Sequence, residues 1–139
     1  MWIALALAYF SSLGLIFPVD ASENVNQINF AHGRSSATVR GAVVRGERAL
    51  YSVKARKGQR MSVRIVGPEK NVVFQVYGPG TSYKMTNTGL QITGDTLPGA
   101  GDADDAERWS GTLPRSGVYL LVVGTTRGNA AFQLTVSVR

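Results

Sequence analysis

The densest group of side chains able to do chemistry is a turn, Pro114-Arg115-Ser116-Gly117, that runs into Val118-Tyr119 and then the apolar run Leu120-Leu121-Val122-Val123, with Arg127 just beyond. A hydroxyl, a phenol and two guanidiniums can bind a carboxylate through charge-assisted hydrogen bonds. They cannot by themselves cleave a bond, because nothing beside them serves as a general base. His32 is the single histidine, in the turn sequence Phe30-Ala31-His32-Gly33-Arg34, and no nucleophile-elbow pattern accompanies it. A surface turn is the expected place for it. One histidine and no cysteine exclude a tetrahedral zinc site.

Asp102, Asp104, Asp105 and Glu107 form the only acidic cluster. Hard oxygen ligands could hold calcium, but the spacing does not match the helix-loop-helix calcium loop, and a solvated loop is the plainer reading. These acids are sequence neighbours, whereas a glycosidase needs two carboxylates facing each other across a sugar. The chain is therefore read as a non-enzyme with no metal and no cofactor. Nucleic acid is also set aside as a partner. Tyr51, Phe74 and Phe132 fall on the apolar phase of their segments, where they build a core and do not stack on bases.

The elements that position the turn are strands. Tyr51, Val53 and Ala55 alternate with Ser52 and Lys54; Met61, Val63 and Ile65 with Arg60, Ser62 and Arg64; Phe132, Leu134, Val136 and Val138 with Gln133, Thr135 and Ser137. That period of two describes strands with one buried and one wet face. Val72 to Tyr77 and Tyr119 to Val123 are more continuously apolar, as expected of central strands. Gly/Pro-rich turns separate the segments, at Lys57-Gly58, Gly67-Pro68, Gly78-Pro79-Gly80, Ser116-Gly117 and Gly128-Asn129. No segment sustains a helical period. The fold class is all-β, an antiparallel β-sandwich of about eight short strands. Residues 78–105 read as long loops with one short strand around Leu90 to Thr93. Trp109 reads as a core or corner residue.

Residues 1–21 read as a secretory signal peptide, leaving 22–139 as a single domain. Trp2 to Phe17 is an apolar run of 16 residues, broken by Pro18, with Val19-Asp20-Ala21 as a small-residue cleavage site. An uncleaved anchor is the alternative, but a spanning helix needs ~20 residues, so no stable membrane span is expected after cleavage. Without cysteine, an exported domain must be stabilised by its core alone. All 15 basic residues and eight of the nine acids follow Ala21, and residues 34–64 carry nine bases against Glu47. Such a field favours anionic partners. Its plainer reading is the wet face of a sheet kept soluble by basic side chains.

The ordered set of short motifs resembles the periplasmic inhibitors of goose-type (g-type) lysozyme. It runs from Ile28-Asn29-Phe30-Ala31-His32-Gly33-Arg34 through Tyr51, Lys57-Gly58-Gln59 and Tyr77-Gly78-Pro79-Gly80. It ends on Leu113-Pro114, Ser116-Gly117-Val118-Tyr119 and Arg127. The resemblance implies a β-sandwich that plugs the active-site cleft of a goose-type lysozyme with the Ser116-Gly117-Val118-Tyr119 loop and a nearby arginine. It also implies a periplasmic location. Ser116 would hydrogen-bond the enzyme's catalytic glutamic acid, and Arg127 or Arg115 would pair with it. Gly117 would permit close backbone approach, and Tyr119 would buttress the loop or add contact area. Plainer readings stay open: turn residues for Ser116 and Gly117, a core tyrosine for Tyr119, a loop cation for Arg127. Two other functions are also open: an exported module that binds anionic cell-envelope polymer, resembling the pre-peptidase C-terminal sandwiches, and a structural accessory domain.

Overall fold

The computed structural model describes residues 24–139, so the expected signal peptide lies outside the described residues. Among the described residues there are ten strands: β1 (Val25–Gln27), β2 (Ser36–Val43), β3 (Ala49–Ala55), β4 (Arg60–Val66), β5 (Val72–Tyr77), β6 (Ser82–Thr86), β7 (Gly89–Thr93), β8 (Arg108–Thr112), β9 (Gly117–Thr125) and β10 (Ala130–Val138). Eight of them form two four-stranded sheets, ordered β1-β3-β9-β5 and β2-β10-β4-β8. Every pairing in them is antiparallel except β1 with β3. The architecture is an all-β sandwich.

The alternation in the sequence maps directly onto the two faces of each sheet. Met61, Val63 and Ile65 of β4 are buried while Arg60 and Arg64 are exposed. Leu134 and Val136 of β10 and Val53, Tyr119, Leu121 and Val123 of the facing sheet are essentially inaccessible and join one core. A glycine on the inward phase of β2 makes room for that core. A Cβ on Gly41 would sit 2.7 Å from the Phe132 ring and 2.9 Å from the Tyr51 hydroxyl oxygen. Those two rings meet edge to face, with centroids 6.2 Å apart.

Residues 78–105 differ from the expected long loops. They contain a hairpin, β6 paired antiparallel with β7, which forms a small third layer. Tyr83, Leu90 and Ile92 of the hairpin pack on Leu50, Leu120 and Val122, which point away from the main core. This explains the unbroken apolar run in β9: its alternate residues are buried against opposite layers. Strand β9 is central, as its composition implied, but β5 is an edge strand. Its apolar character is matched by a covering segment that hydrogen-bonds along it. Phe74 N donates to Ala106 O at 2.9 Å, Val76 N to Ala100 O at 3.0 Å and Leu97 N to Val76 O at 2.9 Å. The segment thus occupies main-chain groups that an open edge would expose.

Asn71 ties the far end of the sandwich together. It is 3 % exposed, and its amide donates to Arg127 O at 2.7 Å and Asn129 O at 3.0 Å. Asn71→Ala would leave both carbonyls without that donor, and stability is expected to fall by about 1–3 kcal/mol. A lowered denaturant midpoint at unchanged slope would register the loss.

Candidate functional site

The turn between β8 and β9 is anchored at its base by backbone. Leu113, 1 % exposed, donates its N–H to Gln59 O at 2.7 Å and accepts from Gly58 N at 2.9 Å. The β3–β4 turn that receives it is itself closed by Arg56 N donating to Gln59 Oε1 at 2.7 Å. Ser116 adds a side-chain link, its Oγ accepting from Lys57 N at 2.8 Å. That bond uses one acceptor site of the hydroxyl and leaves its proton free to donate outward. Ser116, Arg115 and Lys57 are all exposed.

Tyr119 fixes the turn from beneath. Its side chain is wholly buried, and its hydroxyl donates to Arg115 O at 2.5 Å and accepts from Arg115 N at 3.3 Å. Of the two roles considered for Tyr119, only buttressing is open to a side chain with no accessible surface. Arg115 extends to the β5–β6 connection, where Nη2 donates to Pro79 O at 3.0 Å. Gly117 has φ +146°, and a Cβ there would lie 2.7 Å from Pro79 Cβ. The fold thus brings Arg115, Ser116, Gly117 and Tyr119 together and adds Lys57 and Pro79.

Arg127 is not beside them. It follows the opposite end of β9, where its Nη2 donates to Glu69 O at 3.1 Å. Nine strand residues separate it from Ser116, about 30 Å at ~3.3 Å each. A nearby arginine for the Ser116 turn is therefore Arg115. The rigid strand that presents the turn also holds Arg127 away from it.

One residue of the expected loop, Val118, had been given no role of its own. Val118 is 47 % exposed, and with Gly117, Pro79, Thr81, Tyr83 and Leu120 it lines a groove of about 580 Å³ between the turn and the β6–β7 hairpin. The signal was available: in Gly117-Val118-Tyr119 the valine occupies the phase opposite the core tyrosine.

The remaining candidates lie elsewhere. His32 is in an exposed turn before β2. Trp109 packs against the core and donates its indole N–H to Pro98 O at 2.8 Å. In the acidic loop, Asp104 Oδ2 accepts from Gly101 N at 2.7 Å, and Asp102 Oδ1 accepts from Gln75 Nε2 at 2.7 Å. Gln75 in turn accepts from the Tyr77 hydroxyl at 3.1 Å. Burial raises the Tyr77 phenol above its ordinary value, with Arg48 opposing and Asp102 adding to the shift. Among the described residues no group of three or more metal-ligating side chains converges, and no helix is long and apolar enough to cross a membrane.

The basic stretch 34–64 does not form one patch. Arg45 and Arg48 lie in the β2–β3 connection, Lys54 is an exposed residue of β3, Lys57 sits beside Ser116 with Arg56 before it in the chain, and Arg40, Arg60 and Arg64 project from the other sheet.

No protein-family model matches the chain, and no curated protein matches it in sequence. Solved structures do resemble it. PliG of Aeromonas hydrophila, a periplasmic lysozyme inhibitor of g-type lysozyme, is 28% identical; the match covers 83% of this chain and 96% of that one, with a TM-score of 0.62. A mutant PliG from Escherichia coli is 22% identical over 83% of this chain and 97% of that one, with a TM-score of 0.58. PliG of Salmonella Typhimurium is 23% identical over the same shares, with a TM-score of 0.57. These neighbours are inhibitors and not enzymes, and the chain shares the sandwich fold of periplasmic g-type lysozyme inhibitors.

Proposed function

We propose that the protein is an exported, periplasmic inhibitor of goose-type lysozyme that closes the enzyme's cleft with the turn around Ser116 and Gly117. The observation that carries this reading is the way the turn is held. Ser116 and Arg115 are exposed at the tip of a connection fixed to three separate parts of the chain, on a fold shared with a 28% identical g-type inhibitor. A tip fixed in advance loses little conformational freedom on binding, which favours affinity. The Ser116 hydroxyl donates to the enzyme's catalytic glutamic acid, and the Arg115 guanidinium pairs with it when ionised. Val118 and the groove beside it supply apolar contact around those polar groups, in keeping with interfaces where a few central residues dominate.

The test is inhibition of a goose-type lysozyme on cell-wall substrate. Near-stoichiometric inhibition is expected from the wild type. Arg115→Ala with Ser116→Ala should weaken it tenfold or more, about 1.4 kcal/mol. Arg127→Ala should change it by less than about twofold, since ~30 Å of strand separates it from the turn. Failure of the wild type to inhibit any of several goose-type enzymes would overturn the proposal.

A further inference from the structure

The outer face of the β2-β10-β4-β8 sheet has an ordered arrangement of side chains that the Ser116 turn does not use. Strand register aligns its outward residues in rows. Ser36, Ser137, Ser62 and Ser110 form one row, and Thr38, Thr135, Arg64 and Arg108 form the next. The hydroxyls of Thr38 and Thr135 are 3.0 Å apart. Two arginines at the margins are tied to side chains of the neighbouring strand. Arg60 Nη2 donates to Ser110 Oγ at 2.9 Å. Arg40 donates from Nη2 and Nε, at 2.9 and 3.0 Å, to the Gln133 amide oxygen turned towards it.

Arg64 and Arg108 are different. They stand directly opposite each other on adjacent strands, both exposed. Like charges at that position repel and destabilise a sheet. The shallow concavity of about 530 Å³ beside them is lined by serines, Thr135, Val63, Trp109, Arg64, Arg108 and Arg139, and among the described residues no carboxylate side chain lines it to offset the charge. An oxyanion seated between the two guanidiniums would remove that repulsion and gain charge-assisted hydrogen bonds.

We infer that this face is a second binding site, and that it takes a linear glycan bearing sulfate or phosphate groups. Charge complementarity sets the sign of the ligand. The serine row on one side of the arginine pair, and the two threonines that complete its own row, suit the hydroxyls of a sugar chain. Trp109, the aromatic residue among those lining the concavity, packs against the core with its indole N–H on Pro98 O, so it does not offer a face on which nucleic-acid bases would stack. Among the described residues Val66 is the only large apolar side chain exposed there, too little to anchor a lipid surface. The site lies on the opposite sheet from β9, so it does not depend on the proposed lysozyme contact.

The probe is dextran sulfate, with neutral dextran as control and binding followed as salt is raised. The wild type should bind dextran sulfate and not dextran. Arg64→Ser with Arg108→Ser should weaken binding at least tenfold at low salt and reduce the slope of log affinity against log salt by about two, one counterion per lost contact. Arg45→Ser with Arg48→Ser removes the same charge elsewhere and should change affinity by less than about threefold. Ser137→Asp, which places an acid within the serine row, should weaken binding as the arginine pair does. The Arg64/Arg108 variant should keep full lysozyme inhibition and lose no thermal stability, since it relieves repulsion. Equal losses from the two arginine pairs would reduce the effect to net charge and overturn the site. So would an absence of wild-type binding, or tighter binding to phosphatidylglycerol vesicles than to dextran sulfate.

Discussion

Replacing Tyr119 by phenylalanine is expected to destabilise the protein by about 1–3 kcal/mol and to weaken lysozyme inhibition, although the ring touches no partner. The side chain is fully buried and its hydroxyl serves both main-chain groups of Arg115. Phenylalanine preserves the packing in the core, so the change isolates the hydroxyl. Arg115 N and O would then lose the partner that fixes their direction. Because the turn is at the surface, water replaces part of the loss, which favours the lower half of that range. Tyr119→Ala adds a large cavity to the same loss and should cost about 3–5 kcal/mol. Urea titration separates the two variants by midpoint, provided the slope stays constant. Unchanged stability and unchanged inhibition in Tyr119→Phe would show that the turn holds its shape without the phenol.

Gly117→Ala is the second large effect expected, and its cause is steric. The φ of +146° is one that L side chains rarely adopt, and the added Cβ would meet Pro79 Cβ at 2.7 Å and Cγ at 3.0 Å. Backbone strain of this kind costs about 1–3 kcal/mol. Relief requires the turn and the Pro79 connection to separate, which pulls Arg115 from the Pro79 carbonyl. Inhibition should fall tenfold or more, equivalent to about 1.4 kcal/mol. Pro79→Gly in the Gly117→Ala background removes the clash but not the strained φ, so partial recovery is expected. Full potency in Gly117→Ala alone would mean that the tip's position has no bearing on binding.

These two residues show how far local sequence reaches. Tyr119 and Arg115 are only four positions apart, yet the sequence left a core tyrosine, a buttress and a contact residue open for Tyr119, and burial with its hydroxyl on Arg115 decided it. The separation of Arg127 from Ser116 was present in the sequence. An apolar run of strand length between them fixes a distance of about 30 Å. The resemblance to goose-type lysozyme inhibitors placed both residues in one site, and strand geometry parts them. The Ser116–Lys57 and Arg115–Pro79 contacts have no such signal, because their partners are 59 and 36 positions away. Only the docking of three turns at one end of the sandwich creates them.

By itself the sequence determined the all-β fold class and, for the strands it revealed, the face that is buried. Period-two alternation records burial residue by residue, and a chain with one histidine and no cysteine has few routes to catalysis or zinc. The tertiary structure alone decided which strands are neighbours. It made β5 an edge, buried Leu120 and Val122 beneath a hairpin, and set Arg64 opposite Arg108. The physical reason is that alternation specifies a face but not a partner. Partner and register come from packing between segments far apart in the chain, and both surfaces proposed to bind are built from such pairings.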